Sequence, residues 1–336
     1  MIHRCSLRVR SATVAATALL IAVSASAAFG AGNQGLSSVS DLSGYWETLM
    51  QQDFQIREAG PDFVSYLGVP INSDARAAAL SYSADTVEEY QRECEPWPVT
   101  YLLMGPFGFK MTSTSDPISG ALQAWHVTGA IDRLPMVIWM DGRTPPNREA
   151  LHTYHGFTTG VWDGDTLVTT TSHVKDGWLT RNGVPNSNQE HVTMFWTRHG
   201  DLLTITGFIH DPVYLTAPYV LSRPWRHRDS LSAAQLDDSV ADNYPDLPPM
   251  NCMPEEEDPG ISNGYHVASI LPGENRLLMT DPQMYHIPLS AALGGAQTMY
   301  PQFRKTLKRN YTVPPGYCKT NCMGTGLAGS GGNSFF

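Results

Sequence analysis

Histidine is concentrated in the central third of this chain of 336 residues. Seven of the eleven histidines fall between His126 and His210. The imidazole ring is the side chain best suited to proton transfer near neutral pH, and in its neutral form it is also the commonest metal ligand. The histidine-rich stretch therefore indicates acid–base chemistry or metal binding, and the spacing of the residues decides between the two.

Five ionisable side chains stand at or just beyond the ends of predicted strands. Lys175 comes two residues after His173, and Asp211 directly follows His210. In an antiparallel meander the ends of alternate strands return to the same rim, so at least two of the three strand-end histidines are expected at one cavity mouth. Such a cluster can transfer protons or hold a substrate carboxylate. The predicted catalytic residues are His173, Lys175, His191, His210 and Asp211.

The spacing of metal-ligating residue types does not favour a metal centre. His152 and His155 are three residues apart, which suits a metal only on a helix or in a tight turn. Cys318 and Cys322 resemble half of a metal site, but no second pair stands at the spacing of a zinc finger. No nucleophile elbow and no nucleotide-binding unit is predicted, which disfavours covalent hydrolysis and nucleotide chemistry. We predict no organic cofactor and assign no metal ligand; a metal bound by a histidine cluster is the less favoured alternative.

Threonine fills the strand predicted from Thr166 to Val174. Alternate residues of a strand face opposite sides, so Leu167, Thr169, Thr171 and His173 share one face. Such a face either forms the solvated side of a sheet or lines a barrel cavity. The solvated side is favoured, because antiparallel sheets are commonly wet on one face.

Aromatic side chains are frequent along the same hairpins. They are expected to form the apolar wall of a site for a small hydrophobic or aromatic molecule. The predicted ligand-binding residues are His155, Phe157, Trp162, Trp178, Phe195 and Phe208.

Short strands between tight turns dominate the chain from about Leu122 onward. The turns at Asp163–Asp165 and His199–Asp201 contain glycine, which supplies the positive φ that hairpins require. Consecutive hairpins build an antiparallel meander, which closes as a barrel or folds into a sandwich. An open sheet with a helix on one side is the remaining alternative. Ahead of the strands, Ser73–Glu93 is the best helical segment, and the prolines of Cys94–Pro98 end it.

Four segments occur in a familiar order: Asp41-Leu-Ser-Gly-Tyr-Trp46, Trp139-Met-Asp-Gly-Arg143, Gly160-Val-Trp-Asp-Gly-Asp-Thr-Leu-Val168 and Asp211-Pro-Val-Tyr-Leu215. On these segments the chain resembles a broad family of secreted, mostly uncharacterised bacterial proteins that look lipocalin-like. The resemblance covers roughly residues 41–225 and implies an antiparallel barrel with an internal cavity. It transfers no catalytic residue.

The first residues read as a secretory signal peptide. Three arginines precede a short apolar run, and Ala25-Ser26-Ala27 provides small residues for cleavage. The predicted organisation is a signal peptide (1–27), a flexible lead-in (28–40), a lipocalin-like barrel domain with insertions (41–310) and a Cys-containing, Gly-rich tail (311–336). We therefore predict a periplasmic or secreted protein without a membrane anchor after processing. In an exported protein the remaining cysteines are expected to form disulfides; they are Cys94, Cys252, Cys318 and Cys322.

The chain is acidic, with a formal net charge of -10. Removing the three arginines of the signal peptide takes this charge to -10 - 3 = -13. A strongly acidic surface repels phosphate backbones, which argues against nucleic acid and anionic membranes as partners. The sequence leaves the oligomeric state open.

Two functions remain near even. In the first, the barrel is a lyase, hydratase or isomerase without organic cofactor that uses His and Lys for acid–base chemistry on a small hydrophobic or aromatic molecule. In the second, it is a non-catalytic periplasmic ligand-binding or carrier protein. The fold does not decide between them, because unrelated functions share one barrel architecture.

Overall fold

The computed structural model of the protein describes residues 41–50, 65–81, 98–105, 107–129, 136–180, 182–230 and 288–307. The strands in these ranges are β1 (Gly44–Thr48), β2 (Phe109–Ser115), β3 (Leu122–Thr128), β4 (Met136–Trp139), β5 (Phe157–Asp163), β6 (Thr166–Ser172), β7 (Gly177–Trp178), β8 (Pro185–Asn186), β9 (His191–His199), β10 (Leu202–His210) and β11 (Tyr219–Arg228). The helices are α1 (Ser73–Ser81), α2 (Tyr101–Met104), α3 (Leu289–Ala292), a 3-10 turn (Ala296–Met299) and α4 (Pro301–Thr306).

Nine strands close into a barrel in the order β1, β11, β10, β9, β6, β5, β4, β3, β2. The predicted mainly β, lipocalin-like barrel is therefore confirmed as a closed barrel. One junction departs from the predicted meander, because β4 and β5 run parallel. After β4 the glycine turn at Gly142 is present, but it does not reverse the chain into a hairpin. Residues 140–156 instead lead back to the end of the barrel at which β4 began.

Loops cover one end of the barrel, where β6 and β10 end and β9 and β11 begin. We call this the covered end. Backbone hydrogen bonds join its covering segments to one another, such as Asn72 N to Tyr214 O at 3.0 Å and Tyr66 N to Ala292 O at 2.7 Å. The covering segments are 65–72, 98–105, 174–180, 182–190, 211–218 and 288–307. The opposite end carries the tight β5–β6 and β9–β10 turns.

Helix α1 begins where the sequence predicts a helix. The Asn72 side chain caps it, since its Oδ1 accepts hydrogen bonds from the backbone N–H groups of Asp74 and Ala75 at 3.0 and 2.9 Å. The structure describes this helix as far as Ser81, and the rest of the predicted segment lies outside the described residues. None of the helices in the described ranges is both long and apolar enough to cross a bilayer.

Aromatic rings fill the middle of the barrel. The Phe109 ring meets Trp196 and Trp225 edge-on, with centroids 6.1 and 5.6 Å apart. Trp46 and Trp125 are fully buried beside the same core. Rings of this size remove large apolar areas from water, so they provide much of the barrel's stability.

The threonine-rich strand β6 differs from the favoured expectation of a solvated face. Thr169 and Thr171 point inward and are fully buried. Their hydroxyls are satisfied, because Thr171 Oγ1 lies 2.8 Å from Thr158 Oγ1 and Thr169 Oγ1 accepts from Trp196 Nε1 at 3.1 Å. A threonine can be buried at small cost when its hydroxyl finds such a partner. On β9, by contrast, Thr193 lies on the outward, partly solvated row.

Leu103, on the covering helix α2, reaches into the barrel against Gly207 of β10. A Cβ atom at Gly207 would overlap the Leu103 Cδ1 atom. We expect Gly207→Ala to lower the free energy of unfolding by about 1–3 kcal/mol, because both residues are buried and overpacking is costly. Chemical denaturation measures the change.

Leu103→Ala provides the matched background for this test. It removes the overlapping atoms. Adding Gly207→Ala to Leu103→Ala should therefore lower the free energy of unfolding only slightly further. An equal cost of Gly207→Ala in both backgrounds would show that the two residues do not compete for this space.

Candidate functional site

Two carboxyl groups stand side by side at the covered end of the barrel. The ladder between β9 and β10 ends at the pair His191 and His210. Glu190 and Asp211 are the next residue on each strand, so they continue the register by one step. Both are buried, and Glu190 extends the inward row that contains Val192.

Asp211 is surrounded by hydrogen-bond donors. Its Oδ2 accepts from the backbone N–H of Ser187 at 2.6 Å, and its Oδ1 accepts from the Ser187 hydroxyl at 2.8 Å. Oδ1 also accepts from the N–H groups of Val213 and Tyr214 at 2.9 and 3.1 Å. All four contacts come from donors, so the group acts as an acceptor only, which is the role of a carboxylate.

Glu190 has the opposite environment. Its exposed fraction is 0%, and neither carboxyl oxygen has a hydrogen-bond partner among the residues that the structure describes. Burial raises the pKa of Glu190 well above its ordinary value of 4.5, and the negative charge of Asp211 raises this pKa further. Glu190 is therefore expected to hold a proton under conditions in which an exposed glutamate is ionised. A neutral carboxylic acid beside a carboxylate can donate and take back a proton.

The structure places the three predicted catalytic histidines at the covered end, as the strand directions predict. His191 and His210 are cross-strand partners, but both side chains are exposed on the outer wall. They are therefore on the opposite face of the sheet from Glu190. His173 is almost completely buried, with 9% of its surface exposed. Lys175 is held beside Tyr154, because its Nζ donates to the phenol oxygen at 3.1 Å and lies 4.6 Å from the ring centroid.

Most of the predicted ligand-binding residues do not face the barrel interior. Phe195 and Phe208 contact each other edge-on at 5.7 Å on the outer wall, because Val192, Met194 and Trp196 take the inward row of β9. Trp162 is the exception, because it lies on the inward row of β5 and packs against the core. His155 is buried, whereas Phe157 and Trp178 are half-buried.

Glu190 was missed by the sequence prediction, although a signal for it exists. It occupies the first position of an alternating row that continues through Val192, Met194 and Trp196. A carboxyl group at the end of an apolar inward row indicates a buried acid or a site. The sequence prediction selected the adjacent His191, which lies on the outward row, instead of Glu190.

No three His, Cys, Asp or Glu side chains in the described ranges are grouped so that they could hold a metal ion. Cys94, Cys252, Cys318 and Cys322 lie outside the described residues, so the predicted disulfides stay predictions. Two short patterns, Gly260-Ile-Ser-Asn-Gly264 and Gly324-Thr-Gly-Leu-Ala-Gly329, match the letters of a nucleophile elbow and a dinucleotide fingerprint. Both also lie outside the described residues.

Comparison of the sequence with models of known protein families gives no match, and comparison with curated proteins gives none. Among solved structures, the chain is similar to a "secretary abundant heat soluble (SAHS) protein" from Ramazzottius varieornatus. The sequence identity is 11%, and the match covers 56% of this chain and 95% of that chain with a TM-score of 0.26.

The raised pKa of Glu190 makes stability depend on pH in a defined direction. The folded protein holds this proton more tightly than the unfolded chain, so the free energy of unfolding falls as pH rises above the ordinary value of 4.5. One proton contributes up to about 1.4 kcal/mol per pH unit. Glu190→Gln has no proton to lose, and we expect it to gain stability relative to the wild type as pH rises from 4.5 toward the raised pKa of Glu190.

Urea denaturation at several pH values measures this difference. Glu149→Gln is the matched control, because the Glu149 side chain is 78% exposed and its removal should leave the pH dependence as it is. A constant stability difference between wild type and Glu190→Gln across this pH range would refute the assignment of Glu190 as a buried, protonated acid.

Proposed function

We propose that the protein is an exported barrel enzyme that carries out acid–base chemistry on a small hydrophobic or aromatic molecule without an organic cofactor. The reaction classes are those of a lyase, a hydratase or an isomerase. The observation that carries the proposal is the unpartnered, fully buried carboxyl group of Glu190 beside the fourfold hydrogen-bonded Asp211. In this assignment Glu190 transfers the proton, and Asp211 is a positioning residue that keeps the proton on Glu190.

The environment of Glu190 selects among reactions. An ionised Glu190 next to Asp211 would place two negative charges in a buried site, which is strongly unfavourable. Reactions in which Glu190 gives up one proton and regains another within the same turnover fit this constraint. In an elimination, Glu190 protonates a departing hydroxyl group, which leaves as water, and the carboxylate then removes the neighbouring C–H proton. In an isomerisation, it protonates one carbon and deprotonates another.

The surroundings of the acid favour an apolar substrate. Val192 and Met194 follow Glu190 on the inward row of β9, and the Trp196 ring lies beyond them. Polar contacts in the same region come from hydroxyl groups such as those of Thr158 and Thr171. Glu190 is fully buried, so substrate entry requires the covering segments to move apart, as in enzymes whose loops close over the reaction.

His173 and Lys175 lie at the covered end of the barrel, as Glu190 does. The export part of the proposal rests on the arginines, the apolar run and the small residues of positions 1–27, which lie outside the described residues.

A non-catalytic carrier is the second candidate. The closed barrel supports it, since barrels of this kind enclose small ligands in many proteins. A carrier needs the apolar wall but not the proton of Glu190, so this side chain distinguishes the two functions.

Proton exchange at carbon tests the enzymatic proposal before the natural substrate is known. We expect the wild type to exchange C–H protons for deuterium in at least one member of a panel of small β-hydroxy acids, α,β-unsaturated acids and aromatic ketones in D₂O. Glu190→Gln should reduce the exchange rate by about 100-fold or more, since a positioned acid or base contributes on that order. One-dimensional proton NMR follows the signal loss.

Ligand binding to the same panel, measured by saturation-transfer NMR, provides the second readout. Binding that is equal in wild type and Glu190→Gln, without exchange in either, would establish the carrier and reject the enzyme. Exchange that persists unchanged in Glu190→Gln would reject Glu190 as the proton-transfer group.

A further inference from the structure

His173 has an unusual backbone conformation. Its φ is 59°, and it is the one residue other than glycine with a positive φ in the described part of the chain. This left-handed conformation is unfavourable for residues other than glycine, so the surrounding contacts must hold it. In a regular strand Ser172 and His173 would point to opposite faces, but this turn brings their side chains together. Ser172 Oγ lies 2.8 Å from His173 Nδ1.

The second ring nitrogen of His173 fixes the direction of this hydrogen bond. Nε2 lies 2.9 Å from the backbone carbonyl oxygen of Asn147, and a carbonyl oxygen only accepts. Nε2 therefore carries the hydrogen of the neutral ring, and Nδ1 has the free lone pair. It follows that the Ser172 hydroxyl donates to Nδ1. The same carbonyl also accepts from the Ala150 N–H at 2.9 Å, which uses its second lone pair and holds the loop in place.

The ring of His173 is held rigidly in this position. The His152 ring packs against it with centroids 5.1 Å apart, and His152 Nδ1 is 2.9 Å from the carbonyl oxygen of Val174. The backbone of His173 is fixed as well, because its carbonyl accepts from the Thr153 N–H at 3.0 Å. A hydroxyl, an imidazole and a fixed acceptor in this order are the parts of an activated serine, which is recognised by geometry rather than by sequence position.

We propose that Ser172 is a nucleophile for acyl transfer, with His173 as its general base and the Asn147 carbonyl as the group that orients the ring. The substrate class is a small ester with an apolar acyl group. Phe157 is the cross-strand partner of Ser172 and lies half-buried on the same face, where it offers the apolar contact. Ser172 is itself half-buried, so it is reachable from solvent.

The step balances without a cofactor. Ser172 Oγ forms a bond to the ester carbonyl carbon while its proton moves to His173 Nδ1. The carbon–oxygen bond to the alcohol then breaks, and the alcohol leaves with that proton. Water hydrolyses the acyl-serine by the same route and restores the free hydroxyl.

This activity goes beyond the function proposed for Glu190. Ser172 stands on the outward row of β6, whereas Glu190 continues the inward row of β9. The two proposals therefore fail separately, since labelling of Ser172 does not involve Glu190. No nucleophile elbow was predicted for this segment, because the dyad depends on the backbone of a single histidine rather than on a glycine-flanked turn.

An alkyl fluorophosphonate is the probe, because it forms a bond to an activated serine oxygen with loss of fluoride. We expect stoichiometric labelling of Ser172 in the full-length mature protein, located by peptide mass spectrometry. Ser172→Ala should abolish the labelling, and His173→Asn should slow it by about 100-fold. Asparagine tolerates the left-handed backbone, so this variant removes the base with little change to the turn. Ser222→Ala is the matched control and should label normally, because Ser222 is an exposed strand serine whose hydroxyl contacts Thr206 rather than an imidazole.

Labelling of Ser172 at the same rate in His173→Asn would overturn the proposal, as would the absence of labelling at Ser172 in the native protein. A further measurement is independent of variant folding. Urea-unfolded wild type should lose the reactivity of Ser172, and equal labelling of native and unfolded protein would also overturn the proposal.

Discussion

The four hydrogen bonds to Asp211 are the interaction on which the covered end depends. They tie the Ser187 turn before β9 to the loop after β10, and so they set the positions of both strand ends. The Ser187 carbonyl in turn accepts from the Glu190 N–H at 3.0 Å, which places Glu190 next to the charge. Burial and that charge both raise the pKa of Glu190, which favours its protonated form. An unpartnered buried carboxyl destabilises a fold by about 1–3 kcal/mol or more, so packing of the surrounding core must offset it.

The barrel imposes a strict alternation that decides what each strand can contribute. Val192, Met194 and Trp196 occupy the interior, so Thr193 and Phe195 must face outward. A shift by one residue would exchange the two sets and destroy the aromatic core. The two proposed sites use opposite sides of the same wall. Glu190 extends an inward row and is fully buried, whereas Ser172 extends an outward row and is half-buried beside the loop of residues 147–153.

Part of this architecture was predictable because it is local. The Asp-Gly-Asp turn at Gly164 and the turn at Gly200 need positive φ, and hairpins follow from them. The parallel pairing of β4 with β5 was not predictable, because the glycine at Gly142 indicates a turn but not the strand that pairs next. The burial of Thr169 and Thr171 also depends on partners from other strands. For the candidate sites, strand direction alone places His173, His191 and His210 at one end of the barrel. The orientation of their rings depends on which residues of each strand face inward, and for His173 also on the tertiary contacts that give it a left-handed backbone.

The central claim is that Glu190 is an uncharged acid in the folded protein at neutral pH. Infrared spectroscopy of the folded protein observes this directly, since an unionised carboxyl group has a C=O stretching band that is separate from the bands of carboxylates. The wild type should show such a band at neutral pH, Glu149→Gln should keep it, and Glu190→Gln should lack it. A wild-type spectrum with carboxylate bands only, identical in this region to that of Glu190→Gln, would contradict the account.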